Sequence, residues 1–145
     1  MVDVSGKTPG RREARAEGRV SVSPGTASLV AASGLPKGNP FEVARLAGIQ
    51  AAKLTSQLIP LCHNLPLDWV DVTIELQDAT FLITADVICR SATGVEMEAL
   101  TAVSVATLTV YDMCKAVDKN MVIGEIKLVS KRKENTEGQA PVTRR

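Results

Sequence analysis

The chain has 145 residues, 45% of them apolar and 23% charged, with a formal net charge of +1. That balance describes one globular domain and excludes a disordered chain, and neither the charge nor the 3% aromatic content offers a general nucleic-acid surface. No apolar run reaches the roughly 18–20 residues of a membrane span, and residues 1–7 lack the apolar stretch of a signal peptide, so a cytoplasmic protein with no membrane partner is expected.

Residues 11–22 alternate, with Ala14, Ala16, Gly18, Val20 and Val22 on one side and Glu13, Arg15, Glu17 and Arg19 on the other. A period of two predicts a half-exposed strand. Ser23-Pro24-Gly25 is expected to break it, ahead of a short helical segment over 27–32 and a Gly/Pro loop over 34–40. Asn39, Pro40 and Glu42 form a helix start: a capping amide, a proline suited to the first position, and a carboxylate at the positive end of the dipole. This helix is predicted to run to about residue 58, before Pro60, and its Ala44, Ala47, Gly48, Ala51 and Ala52 allow close approach to a sheet.

Residues 69–76 and 81–89 alternate again, and the short polar link 77–80 makes them a hairpin. After a turn at 91–94, a second long helix is predicted over 95–117. It carries no charge between Ala99 and Tyr111, so it is expected to be covered on most sides. A last strand over 121–130 closes the domain at residue 131, and residues 132–145 are expected to be a disordered polar tail. Strand, helix, strand, strand, helix, strand is the split β-α-β order. The expected fold class is therefore α+β, ferredoxin-like, with a four-stranded antiparallel sheet and helices on one face. An open sheet face and a heavily apolar second helix favour a homo-oligomer.

Charge is unevenly distributed. Residues 1–53 carry +4, residues 54–126 carry −7 and residues 127–145 carry +4. Basic ends around an acidic middle can pair with each other, stay solvated, or leave a local basic pocket for an anion. Four places carry candidate chemistry. His63, the only histidine, follows Ile59-Pro60-Leu61-Cys62; with Cys89 and Cys114 far away, the count argues against a four-ligand zinc site in one chain. The three scattered cysteines read instead as reduced thiols. In Thr93-Gly94-Val95-Glu96-Met97-Glu98, Thr93 and Glu96 have the spacing of a capping box, whereas Glu98 is a second carboxylate free for substrate. Asp112 and Lys115 are three apart and share a helix face, as a surface ion pair or as an acid–base pair. Lys37, beside the Asn39 cap, suits a phosphate, and Lys53 and Lys131 can add charge.

Several segments resemble the cyclic pyranopterin monophosphate synthase family (molybdenum cofactor biosynthesis protein C): Lys37-Gly38, Ala47-Gly48-Ile49-Gln50-Ala51-Ala52-Lys53, Leu58-Ile59-Pro60-Leu61-Cys62-His63, Thr93-Gly94-Val95-Glu96-Met97-Glu98-Ala99-Leu100-Thr101, and Leu108-Thr109-Val110-Tyr111-Asp112-Met113-Cys114-Lys115-Ala116-Val117. The resemblance implies a ferredoxin-like fold and a homohexamer built as a trimer of dimers with sites at the dimer interface. The implied lyase substrate is a cyclised dihydroguanosine triphosphate, converted to cyclic pyranopterin monophosphate and diphosphate with no cofactor and no metal assigned. It further implies Asp112 and Lys115 as the acid–base residues. Lys37, Lys53 and Lys131 would surround the substrate, with Leu61, Cys62, His63, Glu96, Met97 and Glu98 as binding residues and Arg12 near the triphosphate. Where the family reads Lys-x-Gly-Gly after the last lysine, this chain has Lys131-Arg132-Lys133-Glu134. It also begins at Met-Val-Asp-Val, a stretch that family members precede with further residues. A non-catalytic, small-anion-binding regulatory module is the alternative. An RNA-recognition domain is excluded by a sheet without stacking aromatics.

Overall fold

A computed structural model describes residues 1–134. The elements run β1 (Gly10–Ser21), α1 (Pro24–Ala31), α2 (Pro40–Lys53), α3 (Thr55–Leu58), β2 (Trp69–Gln77), β3 (Thr80–Ser91), α4 (Glu96–Cys114) and β4 (Val122–Glu134). All pairings are antiparallel and the sheet order is β2-β3-β1-β4, the ferredoxin-like arrangement expected from the element order. Among the described residues no helix is long and apolar enough to cross a membrane.

The strand periodicity translates directly into burial. Ala14, Ala16, Gly18 and Val20 lie opposite Val87, Ala85, Ile83 and Phe81, and Val72 lies opposite Ala85; all face the helices and are buried. Removing a side chain such as the fully buried Phe81 costs about 3–5 kcal/mol. The Phe81 ring also meets Phe41 of α2 at a centroid distance of 5.7 Å and a tilt of 52°. On the other face Arg15 makes a two-bond pair with Asp86, at 2.7 and 2.8 Å.

Two glycines fix where α4 lies. A Cβ at Gly18 would stand 2.6 Å from Val103 Cγ1, and one at Gly48 would stand 3.0 Å from the Ala102 carbonyl oxygen. β1 therefore approaches α4 more closely than a side chain at Gly18 would permit, and α2 packs beside it so tightly that a side chain at Gly48 would force its neighbours to shift. This explains the long uncharged stretch: Ala99, Ala102, Val103, Ala106 and Val110 are fully buried.

Several boundaries differ from the sequence expectation. Ser23-Pro24-Gly25 does not simply break the chain: Ser23 caps α1, accepting from the Thr26 N–H at 3.1 Å, and Pro24 occupies the first turn. The helix expected to reach residue 58 stops at Lys53, and α3 follows after Leu54. The second long helix ends at Cys114, short of residue 117. β4 continues to Glu134, pairing Lys131 with Ala14, Lys133 with Arg12 and Glu134 with Arg11, so residues 132–134 of the expected tail are strand. Residues 135–145 of that tail lie outside the described residues. β1 and β4 lose register between Arg15 and Ala16 and again between Glu17 and Arg19, where Glu125 adopts φ +52°. These bulges explain why the last strand shows no clean alternation.

Candidate active site

α4 carries a functional group at each end, and the two ends differ. At its C-terminal end Asp112 holds two ammonium groups at once. Lys115 Nζ lies 2.7 Å from Asp112 Oδ1, and Lys37 Nζ lies 2.5 Å from Oδ2. Lys115 follows the last residue of α4, while Lys37 arrives on the loop before α2. In that loop Leu35 is buried, Gly38 takes φ +91°, and Asn39 Oδ1 caps α2 by accepting from the Phe41 N–H at 2.8 Å. The Lys115 hydrogen bond, then that of Lys37, lowers the Asp112 pKa to about 2. Asp112 in turn raises that of Lys115. At Lys115 the pull of Asp112 is the dominant influence.

At the N-terminal end, Leu61, Cys62 and His63 meet Met97 and Glu98 around a cavity of about 410 Å³. Glu98 is only 4% exposed; burial first, then the charge of Glu96, raises its pKa. Burial and the charge of Glu98 also raise the Cys62 pKa, which keeps it a thiol rather than a nucleophilic thiolate. Val2, Val4 and Lys7 form part of the same wall, and sequence reasoning missed them. Residues 1–9 show no periodicity, and their local order includes turns in which Asp3 Oδ1 accepts from the Ser5 N–H at 2.8 Å and the Lys7 N–H donates to the Val4 carbonyl at 3.0 Å.

A second hollow of about 300 Å³ adjoins the first through Gly94 and Glu96, and includes Arg12, Lys131 and Lys133 in its lining. Lys131 Nζ lies 3.3 Å from Glu96 Oε1. The expected capping box is therefore not formed. α4 begins with Val95 as a cap that makes no side-chain bond, Glu96 turns instead toward β4, and the Thr93 N–H donates to Ser91 Oγ at 3.3 Å. Arg12 donates to the carbonyls of Ser91 and Ala92, both at 3.2 Å, so part of its guanidinium holds the loop leading into α4. Lys53 is exposed at the end of α2.

The structure sorts most of the residues singled out in the sequence into two groups. Lys37, Asp112 and Lys115 stand together. Leu61, Cys62, His63, Glu96, Met97 and Glu98 stand together at the other end, with Arg12 and Lys131 adjoining. A rise of 1.5 Å per residue puts Glu98 and Asp112 about 21 Å apart. His63 stands with Met97 and Glu98 and not with Asp112, because the chain after α3 reaches the start of α4 and not its end.

The fold and these two ends define a class: a ferredoxin-like α+β domain with an ammonium–carboxylate cluster at one end of a helix and a separate open hollow at the other. The model of the MoaC family matches residues 1–134. The chain is 59% identical over 128 residues to a molybdenum cofactor biosynthesis bifunctional protein of Chlorobaculum tepidum, covering 88% of this chain but only 41% of that protein. Cyclic pyranopterin monophosphate synthases of Chloroflexus aggregans and Parvibaculum lavamentivorans are 54% and 55% identical. Those alignments cover 91% and 90% of this chain and 81% and 83% of the relatives. The chain belongs to the MoaC family.

Proposed function

We propose that this chain is a cyclic pyranopterin monophosphate synthase, a lyase of molybdenum cofactor biosynthesis. It converts a cyclised dihydroguanosine triphosphate to cyclic pyranopterin monophosphate and diphosphate. The observation that carries this reading is Asp112 bonded by two ammonium groups from separate segments, 2.5 and 2.7 Å away, in a chain so similar to proteins of that name.

The reaction opens and re-closes a ring and forms a cyclic phosphate, and each step moves protons at positioned nitrogens and oxygens. Lys115, with its pKa raised by Asp112, enters as the ammonium form and is the general acid. Its amine, once it has given up the proton, is the base for the next transfer. Asp112, held at about 2, remains ionised and orients Lys115 without trading protons. Lys37 offers the triphosphate a second charge, with Lys53, Lys131 and Arg12 adding to the field. The cavity lined by Leu61, Cys62, His63, Met97 and Glu98 takes the ring system, with Glu96 at its edge.

One straight helix cannot bring its two ends to one reacting atom. We therefore place the site across a two-fold interface, with Lys37, Asp112 and Lys115 from one chain and His63, Met97 and Glu98 from its partner, in a homohexamer of three such dimers. Free Cys62, Cys89 and Cys114 fit a reducing, cytoplasmic setting. Incubating the protein with the cyclised triphosphate and measuring diphosphate and pterin tests the reading. Binding without diphosphate release would make the chain a non-catalytic anion-binding module instead.

A further inference from the structure

Lys37 and Lys115 reach Asp112 from different directions. Lys115 directly follows α4, whereas Lys37 lies on the loop that follows α1. That loop is held between α1 and α2, so where α1 starts relative to the end of α4 helps to decide whether both ammonium groups can meet one carboxylate. A single buried side chain spans that junction. Asp118 is 5% exposed, and its Oδ2 accepts from the Ser23 N–H at 2.7 Å, immediately before α1. Its Oδ1 accepts from the Asn120 N–H at 3.0 Å. Ser23 passes the restraint on, since its Oγ caps α1 through the Thr26 N–H and lies 2.9 Å from Thr26 Oγ1. On the other side the Asp118 N–H donates to the Cys114 carbonyl at 3.0 Å, at the last residue of α4.

We propose that Asp118 is a positioning residue, which fastens the start of α1 to the end of α4 and so holds Lys37 and Lys115 on Asp112 together. Both its oxygens are engaged by backbone N–H groups, which lower its pKa, Ser23 first and Asn120 second. It is thus a fixed anion within the fold. The kinetic consequence rests on the synthase reading; the geometry at Asp112 does not.

The test uses Asp118→Ala and Asp118→Asn in the full chain, well below its melting temperature. The carboxylate titration of Asp112 is followed by carbon NMR alongside kcat and KM. The groups facing Asp112 are Lys115 and Lys37, with Tyr111 beside Lys115, and Cys114 is the titratable group beside Asp118. In Asp118→Ala the Asp112 midpoint rises from about 2 toward the ordinary 3.8. There kcat falls roughly tenfold to a hundredfold, with a smaller change in KM. Asp118→Asn keeps one acceptor oxygen and recovers part of both effects, and it carries the same readouts should the alanine variant not fold. A lower melting temperature with an unmoved Asp112 midpoint would overturn the inference. A shifted midpoint in a protein that never releases diphosphate would leave the positioning role standing and reject the synthase.

Discussion

The two ends of α4 put carboxylates of similar intrinsic acidity to opposite use. Asp112 is half-exposed, bonded to two lysines, and driven down to about 2. Glu98 is buried beside Met97 and Cys62 and driven up. Ion pairing dominates where water still reaches, and desolvation dominates where it does not. One end is therefore a permanent charge that organises ammonium groups, and the other is a carboxylate whose charged form burial disfavours.

The largest effects come from breaking the exposed end. Asp112→Asn and Lys115→Ala are each expected to lower turnover by roughly 10²–10⁴-fold, while circular dichroism stays that of wild type and the melting temperature falls only by the loss of the ion pairs, because neither side chain packs in the core. Wild-type turnover in either variant would remove the acid–base role from this end. Subunit mixing tests whether the two ends serve one site. An Asp112→Asn chain exchanged with a His63→Ala chain is expected to regain roughly a quarter of the sites, since half the dimers are mixed and each has one intact site. His63→Ala with Glu98→Gln is expected to regain almost none, because both lesions lie in the same half. The opposite pattern would put His63 beside Asp112.

Lys37→Ala is expected to weaken the triphosphate by roughly tenfold to a hundredfold, the range for one charge-assisted hydrogen bond. It should weaken an analogue lacking the outer phosphates by much less, as measured by calorimetry. Equal losses would place Lys37 away from the phosphates. A smaller effect separates the lysines: the Asp112 midpoint should rise more in Lys115→Ala than in Lys37→Ala, because Lys115 contributes more to its depression. The stability that Asp112 contributes is present above 3.8 and is lost as pH falls through about 2.

The smallest effect reverses sign at the buried end. A carboxylate with a raised pKa favours folding below the ordinary value of 4.5 and disfavours it as pH rises through the folded value. Glu98→Gln is therefore expected to melt higher than wild type at pH 7, with the advantage vanishing below pH 4.5, while its turnover falls. A lower melting temperature at pH 7 would mean that the charged carboxylate stabilises the fold.

Much of this was legible in the sequence, for identifiable reasons. β1, β2 and β3 each bury one face against the helices, so apolar and polar residues alternate along them and their order gives the fold. β4 was only partly legible, because most of its side chains are exposed, two register shifts interrupt its period, and Lys131-Arg132-Lys133-Glu134 has the composition of a tail. The Thr93–Glu96 spacing misled because Lys131, from a strand distant in sequence, draws Glu96 away. The polar side chains of both clusters stand out along the sequence, but which of them meet does not, since His63 reaches Glu98 only through the path of the chain after α3. Lys7 and Asp118 went unnoticed because their contacts are tertiary.

Gly18 and Gly48 have a consequence for how α4 can vary. With β1 and α2 both pressed against it, the helix cannot turn about its own axis. Glu98 and Asp112 are 14 positions apart, which at ~100° per residue leaves them nearly in phase. Length and phase are therefore separate quantities in this helix. Inserting one residue would lengthen it by only about 1.5 Å yet swing one end about 100° from the other. Inserting seven would lengthen it by about 10 Å and nearly restore the angle. The distance between the cavity and the lysine cluster can change only in steps close to whole turns, such as seven or eleven residues, each of which keeps the angle to within about 20°.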